Sequence, residues 1–231
     1  ILPTPMATCQ RSLPLAVACY APDGTELLRK PLGNLPRRGV PAVAIGDLLG
    51  EALQGLPYGH LELLYDFSQG GEADGWLHGL FRYEDIATGH QAETSFGAHI
   101  FNTVVTYRDE PQSYTGKAPG LSTRLFLRLG NGEIDTLCHL IYPASAVWHT
   151  MSATQLQLHN AAGELVVGKP LAIPCGGSVL WRYHDLFSRA ERAAAGEGAY
   201  LVVRDTTCRL FGYHGLEHPG GAFSFDHMFG F

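Results

Sequence analysis

The residues in this chain best suited to chemistry are its histidines. There are 11 in 231 residues, and four stand in two matching pairs, His90 with His99 and His218 with His227, each spaced His-x8-His. Imidazole nitrogen is the commonest protein ligand for zinc, copper, nickel and iron. The pairs are therefore candidate ligands for a divalent transition metal, with Glu93, Glu217 and Asp226 as oxygen donors close by in sequence. Nine residues of separation put two rings on opposite faces of one strand. Each pair converges only if a turn intervenes, at 93–97 in the first and 220–222 in the second. Otherwise His99 and His227 serve as hydrogen-bonding groups at the end of a domain.

A second group is Trp148, His149, Trp181 and Arg182. Aromatic faces suit sugar rings, and Arg and Asp suit hydroxyls, so these residues are candidates for a pocket that takes a small carbohydrate-like ligand. The competing expectation puts Trp181 in the core, Arg182 on an outer face and Asp185 at a helix cap. Enzyme templates fail: the chain has no Gly-x-Ser-x-Gly elbow, no Walker loop, no His-Glu-x-x-His and no Gly-x-Gly-x-x-Gly. No catalytic residue is assigned, and the reading leans away from an enzyme.

The elements that must position these residues are strands. Thr154 to His159 alternates apolar and polar residues, as a half-buried antiparallel strand does. Leu125 to Leu129, Leu137 to Tyr142, Tyr200 to Val203 and Leu61 to Tyr65 are further strand signals, punctuated by Pro22-Asp23-Gly24, Gly130-Asn131-Gly132 and Asn160 to Gly163. Two helical pieces, 47–54 and 185–195, begin on Asp47 and Asp185, which stand where N-caps would.

The two halves also match each other. Gly24, Lys30, Pro31 and Leu32 align with Gly163, Lys169, Pro170 and Leu171. In the same order Asp47 and Leu48 align with Asp185 and Leu186, Asp66 with Asp205, and Leu80-Phe81-x-Tyr83 with Leu210-Phe211-x-Tyr213. This pattern predicts an internal duplication: an all-β chain of two tandem antiparallel β-sandwich units, each with one short helix. The units span 1–107 and 121–231, with a polar Pro- and Gly-containing linker at 108–120. The strand at 123–129 has no counterpart within the first unit; that counterpart would precede Ile1.

Leu171-Ala172-Ile173-Pro174, Arg182 eight residues after the proline, and Asp185-Leu186 together resemble a segment of the sensory rhodopsin transducer family, and the stretch from Gly198 to Tyr213 is similar to that family's next strands. The resemblance implies a β-sandwich fold and self-association; in the first half Ala44 stands at the place of Arg182.

Composition narrows the classes further. With 45% hydrophobic residues the chain can build a core. A net charge of −6, from 16 basic and 22 acidic residues, excludes nucleic-acid binding by bulk charge. No run of 18 apolar residues spans a membrane. Five cysteines, an odd number without a Cys-x-x-Cys pair, read as buried free thiols in a reducing, cytoplasmic setting. The chain begins on Ile1 rather than Met, as a trimmed protein or a fragment would. The sequence thus predicts a non-enzymatic β-sandwich protein that binds a ligand or protein partner and forms a homo-oligomer. The alternatives are a histidine-ligated metalloprotein or metalloenzyme and a carbohydrate-binding module.

Overall fold

The computed structural model describes residues 2–3, 12–36, 39–66, 74–101, 123–143 and 149–228. The expected linker at 108–120 and Trp148 lie outside them. The first half contributes β1 (Leu2–Pro3), β2 (Ser12–Tyr20), β3 (Glu26–Pro36), α1 (Ile45–Leu49), β4 (His60–Tyr65), β5 (Asp74–Glu84) and β6 (Gln91–Phe101). The second contributes β7 (Thr123–Arg128), β8 (Asp135–Ile141), β9 (Thr154–His159), β10 (Leu165–Leu171) and β11 (Ser178–Arg182). It continues with α2 (Tyr183–Leu186), α3 (Arg189–Ala195), β12 (Tyr200–Asp205), β13 (Phe211–Glu217) and β14 (Asp226–His227). The chain is all-β, and every strand pair is antiparallel.

Among the described residues four sheets form, and each draws its strands from one half. The first half gives β3-β2-β4 and β1-β5-β6; the second gives β10-β9-β12-β7 and β11-β8-β13-β14. The orders β3-β2-β4 and β10-β9-β12 set strands of corresponding chain order side by side in the same way, as do β1-β5-β6 and β8-β13-β14. The first half has no described strand at the places of β7 and β11.

Matched residues also make matched contacts. Lys30 Nζ donates to the carbonyl of Leu48 at 2.6 Å, and Lys169 Nζ donates to the carbonyl of Leu186 at 2.8 Å. Asp66 and Asp205 are both buried at the ends of equivalent strands. Gly24 and Gly163 hold the equivalent turns at φ of 90° and 83°, a conformation that favours glycine because a Cβ would crowd the neighbouring carbonyl.

The main core lies between the two sheets of the second half. Period-2 alternation turns Leu125 and Leu127 of β7, Leu156 and Leu158 of β9, and Leu201 and Val203 of β12 inward against Cys138 and Leu140 of β8. Phe187, fully buried, closes the end of this layer. Cys19, Cys138 and Cys208 are buried free thiols, and burial pushes each thiol's pKa up.

The expected helix at 185–195 is two pieces. Asp185 sits in the first turn of α2 rather than at its cap, whose residue is Arg182, and Asp47 likewise lies inside α1, capped by Ala44. The working cap is Ser188. Its Oγ accepts from Glu191 N at 3.3 Å while Glu191 Oε2 accepts from Ser188 N at 2.6 Å, a reciprocal capping box that restarts the helix after Phe187. Ser188→Ala should cost about 1 kcal/mol, read as a lower denaturant midpoint at unchanged slope.

Candidate functional site

The two halves dock through the outer face of the β11-β8-β13-β14 sheet. Ser178 N donates to the Pro22 carbonyl at 3.0 Å across the junction. A Cβ at Gly24 would lie 2.7 Å from the Cys175 carbonyl oxygen, and one at Gly221 would lie 2.4 Å from Thr88 Cγ2. Beside the second of these approaches the halves leave a cleft of about 680 Å³, within the range of sites for small organic ligands.

The walls come from both halves. The second half supplies Asp135 and Leu137 of β8, Arg182 of β11, His184 of α2 and Glu217 of β13, together with His218, Phe223 and Phe225. The first half supplies Tyr83 and Glu84 from the end of β5, and Asp85 from the turn that follows. Glu133 stands at the rim with its side chain 84% exposed. The aromatic floor is a cluster in which Phe225 packs on Tyr83 at 4.7 Å and stacks parallel on Tyr213 at 5.8 Å between ring centroids. The two tyrosines paired by the internal match therefore meet on one phenylalanine. Burial pushes the hydroxyl pKa of both upward, so both stay neutral phenols.

The charges in the cleft are unequal. Arg182 is taken up by Glu217: Nε donates to Oε2 at 2.7 Å and Nη2 to Oε1 at 3.1 Å, a two-pronged pair that raises the guanidinium pKa. Four carboxylates remain: Glu84, Asp85, Glu133 and Asp135. Asp135 Oδ1 accepts from Thr136 N and His184 N, and its Oδ2 lies 3.6 Å from His184 Nδ1. Gly220 N donates to His218 Nδ1 at 3.0 Å, which places the proton of the neutral ring on Nε2, 4.0 Å from Glu133. The cleft is a negatively charged pocket with an aromatic floor.

The sequence candidates fall differently from their grouping. Trp181 and Arg182 are adjacent in β11 and so point to opposite faces. Trp181 is 8% exposed, part of the core, and offers no ring face to a sugar, whereas Arg182 lines the cleft. His149 is exposed, and its backbone meets the Tyr142 hydroxyl. The three described residues of this group do not share one pocket.

His90 precedes β6 and His99 lies within it opposite Trp76, so no turn brings that pair together. His218 and His227 do flank a turn. They face different carboxylates: His218 faces Glu133, and His227 Nδ1 lies 3.4 Å from Asp226. Among the described residues no group of three or more His, Cys, Asp or Glu side chains is arranged to hold a metal ion.

The residues that sequence reasoning missed are Glu84, Asp85, Glu133 and Asp135. They lie at strand ends and turns, where carboxylates are ordinary. Tyr83 and Tyr213 alone carried a signal, through their matched positions.

Fold and cleft together define an all-β protein of two sheet pairs with an acidic, aromatic pocket at their junction, and no described helix is long and apolar enough to cross a membrane. Compared with family models, with curated proteins and with solved structures, the chain matches none.

Proposed function

We propose that the chain is a non-enzymatic binding protein whose cleft takes a small organic cation with an apolar body, of the arylalkylammonium class. The supporting observation is the unequal charge of the lining. One guanidinium is neutralised by Glu217, and four further carboxylates surround an aromatic floor. An ammonium group gains from the carboxylates and from the ring faces of Phe225 and Phe223, and the apolar body gains by leaving water.

We further infer that the halves descend from one duplicated unit. The repeated lysine-to-leucine carbonyl bond and the repeated strand order support this. Duplication would also account for the cleft, because two related units docked face to face leave a groove that neither has alone.

Calorimetric titration with phenethylammonium at neutral pH tests the binding reading. Saturable binding is expected, weakened about tenfold in Asp135→Asn, which keeps an acceptor for Thr136 N and His184 N while removing the charge. Absence of binding heat across a panel of aryl and alkyl amines, or affinity indifferent to Asp135→Asn and Glu133→Gln, would sink the reading.

A further inference from the structure

The junction between the halves holds a pair of histidines, His60 buried and His139 partly so. His60 opens β4 and is 5% exposed. Its ring stacks on Tyr20 of β2, with centroids 5.3 Å apart and planes 18° apart, and its Nδ1 lies 3.2 Å from Ser178 Oγ of β11. From the second half, His139 of β8 meets it edge-on with 6.4 Å between ring centroids, and Tyr58 approaches His139 edge-on at 5.6 Å. Neither Nε2 has a hydrogen-bond partner among the described residues; Glu62 Oε1 is 3.5 Å from that of His60.

We propose that this pair is a proton-operated latch between the halves, and that a proton on His139 loosens their docking and opens the cleft. A positive ring at His139 would be an ion whose buried Nε2 has no hydrogen-bond acceptor among the described residues, facing another imidazole across the junction. Leu137, two residues along β8 and on the same face, lines the cleft. A change in seating at His139 therefore reaches the pocket through one strand.

The groups that face the latch come from every packed element. From the first half they are Tyr58, His60 and Glu62, and Tyr20, whose hydroxyl lies between Glu26 and Arg29. From the second half they are Ser178 and, across the strand pair from His139, Tyr213. Burial and the neighbouring His60 hold the His139 pKa down to about 4, and no carboxylate offsets them. A free imidazole titrates at about 6.5. Parted halves therefore take up a proton as pH falls below that value, whereas docked halves resist until about 4. Docking is at full strength above about pH 6.5 and weakens as pH falls towards 4, by roughly 100-fold between pH 7 and 4.

The significance for ligand release rests on the cleft reading, but the latch is tested without a ligand. The reporter is the Ser178 amide, which donates to Pro22 across the junction. Its hydrogen-exchange protection, corrected for intrinsic rate, should fall up to roughly 100-fold between pH 7 and 4, while the β9 amides keep theirs. In His139→Phe and His139→Asn the fall should vanish. Unchanged Ser178 protection in the native chain, or an equal fall in both variants, overturns the latch. Should both variants fail to fold, NMR titration of the native His139 ring decides: a midpoint near 6.5 with Ser178 protection intact also overturns it. Phenethylammonium binding at pH 7 separates the two proposals. Its absence with a working latch removes only the cleft reading, and its presence with a flat Ser178 response removes only the latch.

Discussion

Asp205→Ala is expected to be among the most destabilising single changes, lowering the unfolding free energy by about 3 kcal/mol. Asp205 ends β12 and is 1% exposed. Its Oδ2 accepts from Thr154 Oγ1 at 2.8 Å, and its Oδ1 accepts from Thr207 N, Thr207 Oγ1 and Cys208 N. The network extends through Ser152, which accepts from Ile173 N, so one carboxylate ties β9 and β12 to the loop ahead of β11. Alanine removes the acceptor and leaves several buried donors unmatched. Asp205→Asn keeps one oxygen and should cost about a third as much, and urea unfolding of the three proteins gives the comparison.

Burial alone would raise the Asp205 carboxyl pKa, but hydrogen bonds from Thr207, Thr154 and Cys208 N outweigh it and hold the group below the ordinary aspartate value. The sign follows. The unfolded chain binds this proton first as pH falls, so the stability is complete above about pH 4 and drains as pH drops through the lower folded value. The alanine variant should lack this acid limb, and an identical limb would show that the stabilisation lies elsewhere.

The second large effect is expected at Gly24. Alanine there meets two obstacles: a φ of 90° and the Cys175 carbonyl 2.7 Å from the new Cβ. Gly163→Ala is the internal control, because the matched turn has φ of 83° but only the Tyr200 hydroxyl at 3.6 Å. The control should lose about 1 kcal/mol for the backbone alone, and Gly24→Ala about 2–3 kcal/mol, the excess being the cost of forcing the halves apart. Thermal unfolding gives both numbers. Equal losses would mean that the turn at Pro22 yields without disturbing the junction.

Much of the fold is legible because local patterns decide it. The alternation in Thr154 to His159 is the strand β9, and the glycine turns fall where a positive φ is needed. The helix at 185–195 misled because its apolar spacing runs on past Phe187. The Ser188-x-x-Glu191 signature that divides it is in the sequence, but two aspartates at matched places drew the cap assignment instead.

The site was less legible for a different reason. Alternation already separates Trp181 from Arg182, since neighbours in a strand cannot share a face. The cleft carboxylates, by contrast, are brought together only by the docking of two halves, and no local spacing encodes that. His60 shows the same limit: nothing near it in sequence marks it, and its partner lies 79 residues away in the other half.

The run from Pro14 to Ala21, buried at every residue, has a consequence for how the protein is made. The sheet face carrying Tyr20 and His60 is covered by β8 and β11, and β11 ends at Arg182. Translation at about 5–20 residues per second puts roughly 6–23 seconds between the completion of β4 at Tyr65 and that of β11. Throughout that interval the nascent first half presents an uncovered apolar sheet face. A chaperone that holds nascent chains should find it there, and release it once Arg182 has cleared the ribosome.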